Sequence, residues 1–172
     1  RDLIHAIDQA AKDTRIKAVV LDLSKFLGGG HVHLQEIGEA LDRVRKADKP
    51  VLAYAVGYGD DAMMLAAHSS EVWVDPLGGA IITGPGGNRL YYGQLLQRLK
   101  INTHVYKVGT YKDYVEPYLY NQATAPSKEA RRALYAALWE GWKADVSKAR
   151  PKAQIDMVAK DPAGWLKASG GD

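Results

Sequence analysis

Along residues 2–14, Leu3, Ile7, Ala10 and Ala11 recur on one face behind Asp2, which predicts an amphipathic helix with that aspartate as its cap. The next run, IKAVVLDL over 16–23, is almost continuously apolar, as buried parallel strands are. SKFLGGG turns the chain. Residues 33–47 return to helical spacing, with Leu34, Ile37, Leu41 and Val44 in register and Glu39/Arg43 and Asp42/Lys46 as i,i+4 pairs. PVLAYAVG (50–57) predicts a second strand, DDAMMLAAHSS (60–70) a short helix and EVWVDP (71–76) a third strand. AIITG (80–84) is expected to be extended before a glycine-rich turn. Residues 89–100 predict a helix with Tyr92, Leu95, Leu96 and Leu99 inward, and NTHVYKV (102–108) a further strand. A polar loop then leads to a long helix over 127–149, with Ser127 as its N-cap after Pro126. The closing 152–168 segment predicts a helix broken at Asp161-Pro162.

Strands alternating with helices point to an α/β fold with largely parallel strands. At 172 residues the chain fits one domain with a real core, and its 47% hydrophobic and 25% charged residues are those of a soluble globular protein. Basic and acidic residues are interspersed, as in LDRVRKADK and SKEARR, so the net charge of +3 reads as solvated helix faces and not as a nucleic-acid patch. There is no cysteine, which removes disulfides and thiol catalysis. No signal peptide is recognisable, and no apolar run approaches the roughly 18 residues a spanning helix needs. The sequence opens on RDLIHAI and stops at KASGGD, so a piece of something longer is expected.

Several motifs offer chemistry, each with a plainer alternative. GPGGN (84–88) lacks the GK[ST] ending of a phosphate-binding loop and reads as a turn. HVH (31–33) places two imidazoles on opposite sides of an extended segment without a third ligand nearby, so no metal site is expected. Tyr135, Trp139 and Trp142 on the long helix fit packing or an interface better than a binding face. FLGGG (26–30), after a strand and before a helix, could turn the backbone N–H groups of Gly28 and Gly29 toward a developing oxyanion; on spacing alone a strand-to-helix turn is favoured.

VGTYKDYVEP (108–117) is different. Gly109 permits unusual dihedrals, Pro117 stops the following turn from becoming an ordinary long helix, and Tyr111, Tyr114 and Val115 could wall Lys112 with apolar surface. Lowering a lysine pKa from ~10.4 to ~7 costs roughly 4–5 kcal/mol of differential solvation. Such a cost is tolerated for chemistry, because a neutral lysine is a general base.

That motif, with RDLIHAIDQAAKDTRIKAVVLDLSKFLGGG, LYYGQLLQRLKINTHVYKVGTYKDYVEPY and the closing GGD, resembles the N-terminal half of the long, two-repeat form of the signal peptide peptidase A (protease IV) family, through nearly the whole chain. The resemblance implies a ClpP/crotonase-like spiral of ββα units over 1–172, with a core to about 122 and a helical extension over about 127–168. It implies a membrane enzyme that degrades cleaved signal peptides with a serine/lysine dyad and no cofactor. Lys112 falls on the lysine of that dyad as general base, with Gly109, Tyr111, Gly28 and Gly29 as possible supporting residues. In the short form of the family the serine opens the helix after the second strand; here that helix begins GDDAMML, with Asp60 or Asp61 at the nucleophile position. A carboxylate there is no acyl nucleophile for a peptide bond. The T-G-S-x-G stretch of the short form would fall near Ala80–Gly84, with only the final glycine kept. In two-repeat members the serine comes from the C-terminal half of a neighbouring subunit.

The partners this implies are the C-terminal half, further subunits of a homo-oligomer, signal peptides, and the inner membrane on its periplasmic side, through a segment before Arg1. Two other readings stay open: a non-catalytic assembly module with a vestigial lysine, and an acyl-CoA enzyme of the crotonase class. The latter would leave the setting of Lys112 unexplained.

Overall fold

The computed structural model describes residues 2–170. Arg1 of the opening RDLIHAI, and Gly171 and Asp172 of the closing GGD, lie outside the described residues. Two compact units divide the chain: the residues through Thr83 together with those from Gly141 on, and Gly84–Glu140.

In the first unit α1 (Asp2–Lys12), β1 (Val19–Asp22), α2 (His31–Lys46), β2 (Val51–Tyr58), α3 (Asp60–Ala67) and β3 (Glu71–Ala80) alternate. The strands form one sheet in the order β1-β2-β3, with both pairings parallel. The protein is therefore α/β, as the alternation of patterns predicts. Each element appears near its expected place, and the differences have local causes. β1 starts at Val19 and not at Ile16, because its register opens at Val19↔Val51 and the Val19 amide already reaches back to the Pro50 carbonyl, 3.0 Å away. β3 runs four residues past Pro76 because β2 continues alongside it, pairing Gly57↔Gly79 and Tyr58↔Ala80 after a register shift. α2 begins at His31, capped by extended Gly30, so the HVH imidazoles stand in a first helical turn and not on an extended segment.

One face of the sheet builds the core. Val51, Ala53 and Ala55 of β2 are buried, and Ile7, Ala40, Leu41, Val44 and Val51 form a cluster with Val19, Leu21 and Ile37 against it. α3 adds Met64, Leu65, Ala66 and Ala67. The amphipathic faces of α1 and α2 thus find the apolar side of the sheet, the driving force being burial of their Ile, Leu and Val side chains. The other side does not match the expectation of fully buried strands: Val20, Tyr54, Val56 and Trp73 are exposed. From the far end of the chain Trp142 and Val146 are also buried in this unit, and α7 (Ile155–Lys160) and α8 (Pro162–Ala168) follow. The break at Asp161-Pro162 is present, with Asp161 capping α8 through the Gly164 amide at 2.9 Å.

The second unit holds α4 (Gly93–Arg98), α5 (Glu116–Leu119) and the start of α6 (Ala125–Ala149). The expected strand over 102–108 is absent: its residues are irregular, with Tyr106 and Val108 almost fully exposed. A strand persists only where a neighbour takes its N–H and C=O groups, and no other described residue of this unit is in a strand. α4 is shorter than expected because the Tyr92 and Gly93 amides donate to the Pro117 and Tyr120 carbonyls, at 2.7 and 3.2 Å. Leu95 and Leu99 are exposed and only Leu96 is partly buried, against the expectation of an inward face. α6 starts two residues before Ser127. Thr124 is its cap, its hydroxyl accepting from the Ser127 amide at 3.4 Å, which frees Ser127 for another task. Among the described residues no helix is long and apolar enough to cross a membrane.

Candidate active site

Parallel sheets present ligands at the carboxyl ends of their strands. At that end of β2 two clefts adjoin, sharing Gly57, Gly59 and Asp60. One, of about 300 Å³, is bounded by Phe26, Gly28 and Asp61; the other, of about 690 Å³ and largely apolar, by Val56, Tyr58, Leu77 and Ile81. Tyr58 is held by its hydroxyl, which donates to the Trp73 carbonyl at 2.8 Å, and burial pushes its phenol above the ordinary value.

α3 opens here with Asp60 and Asp61, where negative charge suits a helix N-terminus. Neither carboxylate is idle. Asp60 accepts from the Thr83 hydroxyl at 3.0 Å and amide at 3.1 Å, and its carbonyl takes the Trp142 indole N–H at 2.8 Å. Asp61 accepts the Gly29 amide at 2.9 Å. Gly28, with φ +118°, makes this possible, because a Cβ there would stand 2.7 Å from the Asp61 carboxylate and in a backbone region that L side chains avoid. The FLGGG turn does aim an N–H at an anionic oxygen, and that oxygen belongs to Asp61. The serines of this unit lie elsewhere: Ser24 follows β1, its amide on Asp22, Ser69 and Ser70 follow the far end of α3, Ser147 is within α6 and Ser169 follows α8. The HVH imidazoles face carboxylates, His31 at 3.2 Å from Asp145 and His33 at 3.6 Å from Glu36.

Lys112, Gly109 and Tyr111 lie in the second unit. Gly109, at φ +108°, begins the turn that carries the lysine, and the Lys112 stem packs across its open face. Lys112 is exposed. So are Tyr111 at 57% and Tyr114 at 80%, and these rings do not wall the amine as expected; the Tyr111 hydroxyl reaches Glu129 at 3.4 Å instead.

What holds the lysine in place is the next residue. Asp113 accepts the Ser127 hydroxyl at 2.6 Å and pairs with Arg89 at 3.3 Å and Arg131 at 3.8 Å. Arg131 also donates to Ser127 Oγ at 2.8 Å and to the Tyr91 hydroxyl at 3.1 Å, while Arg89 clamps the carbonyls of Asp113 and Tyr114 at 3.2 and 2.8 Å. The Ser127 hydroxyl, and after it the two guanidiniums, hold the Asp113 carboxyl below its ordinary range against the opposing effect of burial. Three residues on, Glu116 is 1% exposed and accepts both the hydroxyl and the amide of Thr124, at 2.5 and 3.1 Å. The loop is thus pinned at two acids, with the Lys112 side chain exposed between Gly109 and these anchors. Asp113, Glu116, Arg89, Thr124, Ser127 and Arg131 were not singled out as site residues from sequence. The signal was there in part, as two acids three apart beside a lone lysine and, in SKEARR, a serine and an arginine at i,i+4.

A family model described as Peptidase family S49 matches residues 43–172. Protease 4 of Salmonella typhi is 37% identical over 146 residues, 85% of this chain and 24% of that protein. Protease 4 of Haemophilus influenzae is 35% identical over 173 aligned residues, 99% of this chain and 28% of that protein. The chain spans about a quarter of the length of these curated relatives. With the match running through β2, α3, β3, the lysine loop and α6, the chain belongs to peptidase family S49.

Proposed function

We propose that this chain is the lysine-donating half of a serine/lysine-dyad endopeptidase that degrades cleaved signal peptides, built as a crotonase-like spiral domain in a homo-oligomer at the periplasmic side of the inner membrane. The observation that carries the reading is the presentation of Lys112: an exposed amine on a Gly109 turn whose following residues are fixed by Asp113 and Glu116. A surface lysine of no consequence needs no such anchoring. Family membership, and two relatives called Protease 4, favour peptide-bond chemistry over the acyl-CoA alternative.

In this reading Lys112 takes the proton from a serine hydroxyl as that oxygen attacks the scissile carbonyl, and returns it to the leaving amine. The serine comes from the C-terminal half of a neighbouring subunit, which also supplies the apolar wall that Tyr111 and Tyr114 do not form here. Removing water from an amine favours its neutral form, and a neutral lysine is a base. The absence of a serine at the start of α3, where Asp60 and Asp61 are committed to Thr83 and Gly29, supports the division of labour.

A serine-directed fluorophosphonate tests it. The chain alone is expected to stay unlabelled and to hydrolyse neither peptides nor esters, whereas the full-length protein labels at a serine beyond residue 172. Robust labelling of the chain alone, at Ser24, Ser69 or any other serine, overturns the proposal.

A further inference from the structure

A separate cavity lies at the opposite end of the first unit's sheet, where α2 and α3 finish and β3 starts. It measures about 330 Å³ and is bounded by Arg45, Ser69, Ser70, Arg150 and Lys152. No acid lines it. The Asp42 carboxylate meets one lining residue, standing 3.5 Å from Arg45, and is 3.0 Å from His68 Nδ1 without the alignment of a hydrogen bond.

Part of this basic character answers the helix ends. Arg150 donates to the Ser69 carbonyl at 2.9 Å and Arg45 to the His68 carbonyl at 3.4 Å, and cations at helix C-termini are favourable in themselves. Two groups are left without that explanation. Ser69 is 1% exposed and its hydroxyl has no partner; Arg150 Nε is likewise buried and unpaired. Interiors pair such groups as a rule, and here two unpaired donors belong to residues that bound one cavity. Ser70 adds a hydroxyl whose oxygen already accepts the Val51 amide at 3.2 Å, leaving its hydrogen to give. Lys152 adds a mobile point charge at the exposed rim.

We propose that this cavity is a binding site for a phosphoryl group. The donors are two guanidiniums, two hydroxyls and an ammonium, all of one sense and from several directions. A tetrahedral group with three anionic oxygens uses more of them than a planar carboxylate can. The volume stands at the low end for ligand pockets, which suits a phosphate with a small organic remainder. Free phosphate and a phospholipid headgroup share this chemistry. The site shares no residue with the lysine loop or the clefts beside Asp60, so it stands whether or not the peptidase reading does.

Isothermal titration of the full chain with inorganic phosphate, and co-sedimentation with phosphatidylcholine vesicles with and without phosphatidic acid, test it. Binding of inorganic phosphate, or of the phosphatidic-acid vesicles alone, is expected. The first result assigns a soluble phosphate and the second a headgroup. Ser69→Ala and Arg150→Gln should each weaken it about tenfold, as loss of a charge-assisted or buried donor does. Should either variant fail to fold, Lys152→Glu at the exposed rim decides, since reversing that charge must weaken binding severalfold. No binding in either format, or binding that folded Ser69→Ala or Lys152→Glu leaves unchanged, overturns the proposal.

Discussion

Asp113 is the anchor whose removal should be felt most directly beside Lys112. Replacing it by alanine deletes the carboxylate that Ser127 meets at 2.6 Å, a hydrogen bond to a charged group worth roughly 1.5–3 kcal/mol. It also deletes the counter-charge of Arg89 and Arg131. Both guanidiniums are about a quarter exposed, so water replaces much of that interaction, and each pair adds only ~0–1 kcal/mol. The total is about 2–4 kcal/mol, or a Tm lower by roughly 5–15 °C for a chain of this size. Asp113→Asn keeps an acceptor for Ser127 and loses the charge, and should cost about half as much. The pH dependence gives a sharper check. The folded carboxyl titrates below its ordinary value, so its contribution is complete above the unfolded pKa of about 3.9 and disappears as pH falls through the folded value. The Tm gap between wild type and Asp113→Asn, followed by circular dichroism, should therefore hold steady from about pH 7 to 5 and close below about pH 4. A gap that persists undiminished into strong acid, or no gap at neutral pH, refutes the electrostatic account of this loop.

The remaining anchors are open to simpler measurements. Removing the buried Glu116 carboxylate by Glu116→Ala strips the half-buried Thr124 hydroxyl and amide of their acceptor and should cost about 2–4 kcal/mol in denaturant unfolding; a loss well under 1 kcal/mol would mean that the loop does not depend on this pair. Gly28→Ala introduces a Cβ 2.7 Å from the Asp61 carboxylate at φ +118° and should destabilise by roughly 1–3 kcal/mol, with faster amide exchange at Gly29; an unchanged Gly29 amide would show that Asp61 does not hold it.

The first unit was legible because its signals are local and agree with one another. The helical spacing of Leu34, Ile37, Leu41 and Val44 and the runs around Val19 and Val51 each name an element and its buried side. The end points were not legible, because β1 starts and β3 stops where β2 does, which no single segment encodes. The 102–108 segment has the β-branched and aromatic residues of a strand yet no ladder partner, and propensity alone cannot supply one. At the lysine loop, Gly109, Lys112 and Pro117 stood out by residue type. Asp113 and Ser127 did not, because what joins them is a hydrogen bond across fourteen residues of sequence, and a serine after a proline reads first as a helix cap. Tyr111 and Tyr114 show the converse: aromatic residues beside a lysine suggest a wall around it, and their exposure shows that sequence proximity is not packing.

The central claim is that Lys112 is the base of the enzyme, and it is tested most directly in the full-length protein with Lys112→Ala and Lys112→Arg, assayed for peptide hydrolysis beside a thermal melt. Both should abolish turnover with an unchanged Tm, the arginine because a guanidinium does not give up its proton in a protein, while Lys107→Ala and Lys100→Ala remain active. A loss of only a few-fold in kcat/KM in either Lys112 variant, with stability intact, contradicts the account and leaves the lysine a bystander on a well-anchored loop.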